Sequence, residues 1–304
     1  MIDSQTKSMH TRELESGVVI REFSKSDSAN TRPMLFHPGI GCDVSALNLL
    51  ATQIDTQRTI IVDTSKASQL GRYATYSRDV TAMFELAAQG LLGRHPATMS
   101  TYAGIWEDTV EEMSVGGEYD LLGYSWGGIL AQEIAIRNSK NVKNLILGAT
   151  IPGVAPYPTS LAALLAMRSP DRSPEHLLEI ATTIYGGDDV NENPRIILKT
   201  GANRSTDAEA YRRQYLAVMF AGWTALRLQS IEAKTLIIAG EKDPLVPVGN
   251  AHVMKTAIQG SELRVIPGAG HLVLELQAEQ VSGYINKHIG SASAPSSVKK
   301  PEIN

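Results

Sequence analysis

The chain has one cysteine, Cys42, in 304 residues, so no intrachain disulfide can form and no oxidising compartment is implied. It lacks any apolar run of the ~18 to 20 residues that a membrane helix needs, and its opening MIDSQTKSMHTRELESG is polar where a secretory signal would be apolar. It also lacks a basic excess: 28 Lys and Arg stand against 32 Asp and Glu, a net charge of -4. Binding nucleic acid takes a concentrated basic face that displaces counterions from phosphates, and none is legible. These absences set the expectation of a cytoplasmic globular protein without a transmembrane segment and without a nucleic-acid partner.

What is present fits that class. Hydrophobic residues make up 43% and charged residues 20% of the chain, the proportions of a folded domain rather than a disordered one. A chain of this length buries roughly three quarters of its unfolded surface, enough for one core and a smaller subdomain. Residues 290–304, GSASAPSSVKKPEIN, are small, polar and proline-containing and read as a disordered tail.

Short β-branched runs alternate with longer helical patterns, as a mostly parallel sheet with crossover helices requires. Strands are predicted at Val18–Arg21, Met34–Phe36, Thr59–Val62, Tyr119–Leu122, Leu145–Leu147, Thr235–Ile238 and Leu263–Ile266. Helices are predicted at Ser45–Ile54, Thr101–Met113, Gly128–Arg137, Gly249–Ala257 and Ala278–Lys287. The reading is an α/β core over 15–150 and 231–289. Two regions break the rhythm: residues 151–230 turn helical without strands and read as an inserted cap, with start signals at Ser173-Pro174 and at Thr206 and Glu209. Residues 65–100 are too long for a simple connection, hold a short helix at Ser77–Leu92, and read as a lid insertion.

Chemistry concentrates at Gly123-Tyr124-Ser125-Trp126-Gly127, between a predicted strand and a predicted helix. A strand that turns sharply into a helix strains the residue at the corner, and flanking glycines remove the side chains that would collide there. The corner lifts the Ser125 hydroxyl above the sheet, and the helix start favours negative charge beside it. A bare G-x-S-x-G can be an ordinary turn; the strand and helix on either side make it a nucleophile. Acid and base should follow at the ends of later strands. Asp243 lies in Gly240-Glu241-Lys242-Asp243-Pro244 and His271 closes Gly268-Ala269-Gly270-His271. Alone, Asp243 would be a turn aspartate and His271 a core histidine; the ordered set assigns orienting acid and general base. Glu241, Asp188 and Asp189 are rival acids.

A tetrahedral intermediate needs backbone N–H donors for its oxyanion. Trp126, after the nucleophile, supplies one; Ile40, in His37-Pro38-Gly39-Ile40-Gly41 after the strand Met34–Phe36, supplies the other, since Pro38 has no N–H. His37 reads as a brace for this loop and Cys42 as an apolar filler behind it.

These residues resemble a known family. GYSWGG with Ser125, AGEKDPLVP with Asp243 and GAGH with His271 are similar to the α/β-hydrolase superfamily, over most of Val18–Ile289. Within it, MRSP (Met167–Pro170), TIYGG (Thr183–Gly187) and FAGW (Phe220–Trp223) resemble intracellular medium-chain polyhydroxyalkanoate depolymerases. The resemblance implies an α/β-hydrolase fold, a small or oligomeric acyl-ester substrate with an aliphatic chain, and no metal or organic cofactor. Tyr124, Met167, Tyr185, Phe220 and Trp223 are the candidates for substrate contact, and a homodimer is allowed. The chain departs from the family where the usual D-x-P-G-x-G turn is replaced by Asp63-Thr64-Ser65-Lys66-Ala67-Ser68-Gln69, at the mouth of the site. The same triad would serve thioester hydrolysis, acyl transfer or elimination in natural-product assembly, and a hydrolase-fold receptor is the non-enzymatic alternative.

Overall fold

Eight strands form one sheet in the order β1-β2-β4-β3-β5-β6-β7-β8. The computed structural model describes residues 7–25, 31–65, 67, 98–153, 155–167, 171, 173–200, 208–219, 221 and 224–290. The strands are β1 Ser8–Glu13, β2 Val19–Ser24, β3 Met34–His37, β4 Arg58–Asp63, β5 Tyr119–Tyr124, β6 Val142–Gly148, β7 Lys234–Gly240 and β8 Glu262–Ile266. β1 and β2 pair antiparallel, as do β2 and β4, and every pairing from β4 through β3, β5, β6 and β7 to β8 is parallel.

The central strands are apolar on consecutive positions because both faces are covered. Along β3, Leu35 joins one buried cluster while Met34 and Phe36 join the other; along β5, Leu121 and Leu122 divide in the same way. One face packs under the helices Met99–Glu112, Trp126–Arg137 and Gly249–Ala257, and the opposite face under Asn48–Gln53, Val273–Leu276 and Ala278–Ile289. Crossover helices on both faces are what parallel neighbours demand.

Sequence reading placed seven strands to within a few residues and missed β1. All six β1 residues are exposed, so the strand carries no apolar alternation to read, and the sheet begins before residue 15. The first helix starts at Asn48 rather than Ser45, because Leu47 has φ 64 and breaks the helical path there. Between β6 and β7 the described residues form helices and no strand, and Ser173 caps the helix Pro174–Ile184 by accepting from the His176 N–H. The expected helix Ser77–Leu92, the capping residue Thr206, the contact candidates Phe220 and Trp223, and the tail from Ser291 lie outside the described residues. Among the described residues, no helix is long and apolar enough to cross a membrane.

Candidate active site

Ser125 sits at the junction of β5 and the helix Trp126–Arg137 with φ 54 and ψ -116, a backbone conformation that L residues avoid. Strain of this kind costs on the order of 1 to 3 kcal/mol and persists only where neighbours hold it in place. Here the Ser125 N–H donates to Gly148 O at 2.8 Å, and the Thr150 hydroxyl donates to Ser125 O at 2.7 Å. Glycine is required on both sides of the corner. A Cβ on Gly127 would collide with the carbonyls of His37 and Pro38, and one on Gly123 with the helix backbone at Gly127 and Gly128.

The loops after β7 and β8 bring two further side chains to this corner. His271 Nε2 lies 3.0 Å from Ser125 Oγ, and His271 Nδ1 lies 2.7 Å from Asp243 Oδ2. A carboxylate only accepts, so Nδ1 carries the proton and Nε2 is left to accept from the serine hydroxyl. Asp243 is itself fixed: Oδ1 accepts from Leu245 N at 2.9 Å and from Val246 N at 2.8 Å. The His271 N–H donates to Tyr185 O at 2.6 Å, and Gly270 makes that approach feasible, since a Cβ there would strike the Tyr185 and Gly186 carbonyls. Thus the Thr183–Gly187 string, read from the sequence as a cap feature, holds the histidine loop by backbone contact.

The rival acids are engaged elsewhere. Glu241 accepts from Gly268 N at 2.9 Å, Asp188 pairs with Lys242 at 2.6 Å, and Asp189 accepts from Gln277 at 2.7 Å.

Ile40 and Trp126 flank Ser125. Trp126 opens its helix, where the first N–H groups have no intrahelical acceptor. Ile40 lies in a loop so close that a Cβ on Gly39 would touch the Ser125 Cβ at 3.5 Å. Of the contact candidates, Met167 faces Ser125 from the inserted region, and Tyr185 lines the histidine side. Tyr124 also borders that side, but its hydroxyl donates to His271 O at 3.0 Å and its ring stacks on the imidazole at 5.6 Å. Burial raises the Tyr124 phenol well above its ordinary value, so it stays a neutral donor that braces the histidine.

Two clefts meet at Ser125. One, of about 80 Å³, is apolar and bounded by Ile129, Ile151, Leu164, Met167, Val218 and Leu245. The other, of about 40 Å³, contains His271 with Gly39, Cys42, Tyr124, Tyr185 and Glu275. The polar residue that sequence reasoning missed is Gln214, on the helix Ala208–Met219. Its side chain accepts from Gly41 N at 2.8 Å and its carbonyl accepts from Trp126 Nε1 at 2.8 Å. A signal existed: Ala210, Tyr211, Gln214 and Ala217 form the buried stripe of that helix, and a glutamine on such a stripe must find a partner.

His37 is fully buried between Pro38 O, to which Nδ1–H donates at 3.0 Å, and the Thr64 hydroxyl, from which Nε2 accepts at 2.9 Å. Burial holds its pKa down to about 4 from the ordinary 6.5. The unfolded chain therefore binds a proton near 6.5 that the folded chain refuses until about 4. This contribution is whole above pH 6.5 and is lost as pH falls toward 4, by up to about 3 kcal/mol. Urea midpoints should fall between pH 7 and 5, and the slope should shrink in His37→Gln; an equal slope in the variant would remove His37 as its source.

Comparison with known proteins follows the same outline. Residues 55–283 match the alpha/beta hydrolase family. The chain is 34% identical to a poly(3-hydroxyalkanoate) depolymerase of Ectopseudomonas oleovorans over 200 residues, 64% of this chain and 69% of that protein. It is 26% identical to the proline iminopeptidase PfmaB of Pestalotiopsis fici over 185 residues, 56% of this chain and 66% of that one. The meta-cleavage product hydrolase CumD of Pseudomonas fluorescens IP01 superposes with a TM-score of 0.68 at 15% identity, covering 96% of this chain and 100% of its own. That likeness speaks to the fold.

Proposed function

Since the chain belongs to the alpha/beta hydrolase family, we propose that it cleaves carboxylic esters of aliphatic or 3-hydroxyacyl acids through an acyl-enzyme on Ser125. The observation that carries this reading is the pair of hydrogen bonds from Ser125 through His271 to Asp243, at 3.0 and 2.7 Å, opening on an apolar cleft. His271 Nε2 takes the hydroxyl proton as Ser125 Oγ attacks the ester carbonyl, and Asp243 supports the imidazolium that forms. The N–H groups of Trp126 and Ile40 receive the oxyanion, a contribution of about 3 kcal/mol each where the site is preorganised. His271 then hands the proton to the departing alcohol, and water, deprotonated by the same nitrogen, releases the acid.

Residues 151–230 act in this scheme as a helical cap over the serine. The acyl chain enters the cleft of Ile151, Leu164 and Val218, and the alcohol leaves on the histidine side. The acyl cleft, of about 80 Å³, is lined by aliphatic side chains. Six added methylenes are the difference between acetate and octanoate, and each contributes at most about 0.8 kcal/mol on burial. We therefore expect kcat/KM for p-nitrophenyl esters to rise at least about tenfold from acetate to octanoate. A preference for acetate would remove the apolar acyl pocket from the reading.

Among the described residues the apolar cleft holds no carboxylate to receive an N-terminal ammonium, and Glu275 lies in the cleft on the histidine side, so with the acyl group in the apolar cleft proline p-nitroanilide should not be turned over. Labelling of Ser125 by a phosphonate without turnover of any nitrophenyl ester would point instead to thioester or acyl-transfer chemistry on a specific partner. No labelling at all would favour a receptor.

A further inference from the structure

We infer that Gln214 is a positioning residue for the oxyanion site, tying both of its donors to the inserted helix Ala208–Met219. The inference rests on the ester-cleaving reading of the same site. Gln214 is only 1% exposed, and it contacts both segments that carry the proposed donors. The side-chain oxygen accepts from the Gly41 N–H, in the peptide immediately after Ile40, and the main-chain oxygen accepts from the Trp126 indole N–H. Gly41 has φ 69 in a turn that the Cys42 N–H closes on Gly39 O at 3.2 Å, a turn that ties the loop only to itself. The Gln214 acceptor ties it to the rest of the site: with the Gly41 N–H held, the Ile40–Gly41 peptide plane is fixed relative to the helix, and the Ile40 N–H one plane earlier is fixed with it. On the other side, the Trp126 ring is pinned edge-on against Tyr102 at 4.8 Å while its indole N–H is held by Gln214.

The helix that carries Gln214 also presents Tyr215 and Val218 to the acyl cleft. A single rigid element thus touches the acyl chain and holds the donors that the transition state uses. Only the donors' alignment, and not substrate binding, depends on the Gln214 side chain. Donors that are misaligned by a few tenths of an ångström lose strength at the oxyanion while leaving ground-state affinity alone.

The test uses the full chain and two ligands of equal length: heptyl trifluoromethyl ketone, whose serine adduct carries the oxyanion, and heptyl methyl ketone, which occupies the cleft without forming it. For Gln214→Met we expect kcat on p-nitrophenyl octanoate to fall about 10- to 100-fold with KM within about threefold. Trifluoromethyl ketone affinity should fall by the same factor as kcat/KM, and methyl ketone affinity should stay. Trp126→Phe, which removes the indole donor and keeps the backbone amide, should give the same signature at smaller amplitude, and it carries the test if Gln214→Met does not fold. Equal weakening of both ketones, or no change in their ratio in either variant, overturns the inference. Ser125→Ala run alongside separates the failures: if it still turns over ester, the hydrolase reading has failed, and if it is inactive while Gln214→Met matches the parent, only the role of Gln214 has.

Discussion

Ser125→Ala should lower turnover of a p-nitrophenyl ester by on the order of 10⁵ to 10⁶, as loss of the nucleophile does in enzymes built on a serine triad. It should do so without unfolding the protein. The substitution removes one hydroxyl whose partner is His271 Nε2 at 3.0 Å, and alanine meets the same backbone strain at φ 54 that serine meets. The companion Ser125→Gly sharpens the point. Glycine adopts this conformation freely, so the inactive glycine variant should be more stable than the parent by about 1 kcal/mol. Opposite signs for activity and stability at one residue identify strain held for function, and urea midpoints beside steady-state rates measure both. Parent-like turnover in either variant would remove Ser125 from the mechanism, whatever the distance to His271.

The reason so much of this site is legible in the sequence is that its parts stand at strand ends. β5 and β7 can be read from buried aliphatic runs such as Leu121-Leu122 and Leu236-Ile237-Ile238, whose residues are at most 1% exposed, and β8 from the half-buried alternation of Leu263 and Val265 with Glu262 and Arg264. Once those strands are placed, Ser125, Asp243 and His271 fall on the same edge of the sheet. What was not legible depends on chain segments far apart. Tyr185 O receives the His271 N–H, and Gln214 receives the Gly41 N–H across 173 positions; neither leaves a local pattern. β1 escaped for the opposite reason, being exposed at all six residues and held by its ladder to β2 rather than by an apolar face. Where the proline-glycine turn is missing after β4, the described residues Asp63, Thr64 and Ser65 are held by side-chain bonding: Ser65 N donates to Asp63 Oδ1 at 2.8 Å, and the Thr64 hydroxyl bonds His37.

Asp243→Asn should cost on the order of 10⁴ in kcat, and the hydrogen bonds around it say why. Oδ1 accepts from two backbone N–H groups, those of Leu245 and Val246. An asparagine must keep its carbonyl oxygen toward these donors, because turning its NH₂ to them would set donors against donors. Its NH₂ then faces His271 Nδ1, in the place of the Oδ2 that now stands 2.7 Å away. Nδ1 is forced to accept, the imidazole proton moves to Nε2, and that proton points at Ser125 Oγ instead of leaving a lone pair there. The histidine can no longer take the hydroxyl proton, although every heavy atom stays near its place. Stability should change little, since the two backbone contacts survive and a buried carboxylate is exchanged for a neutral amide of the same shape. Glu241→Gln is the control: its carboxylate serves the Gly268 N–H, which an amide oxygen serves as well, so kcat should stay within about threefold. Steady-state kinetics on the two variants decide between them. If Glu241→Gln carried the large loss and Asp243→Asn the small one, the orienting acid would be Glu241 and the 2.7 Å contact of Asp243 with His271 would be a turn aspartate's accident.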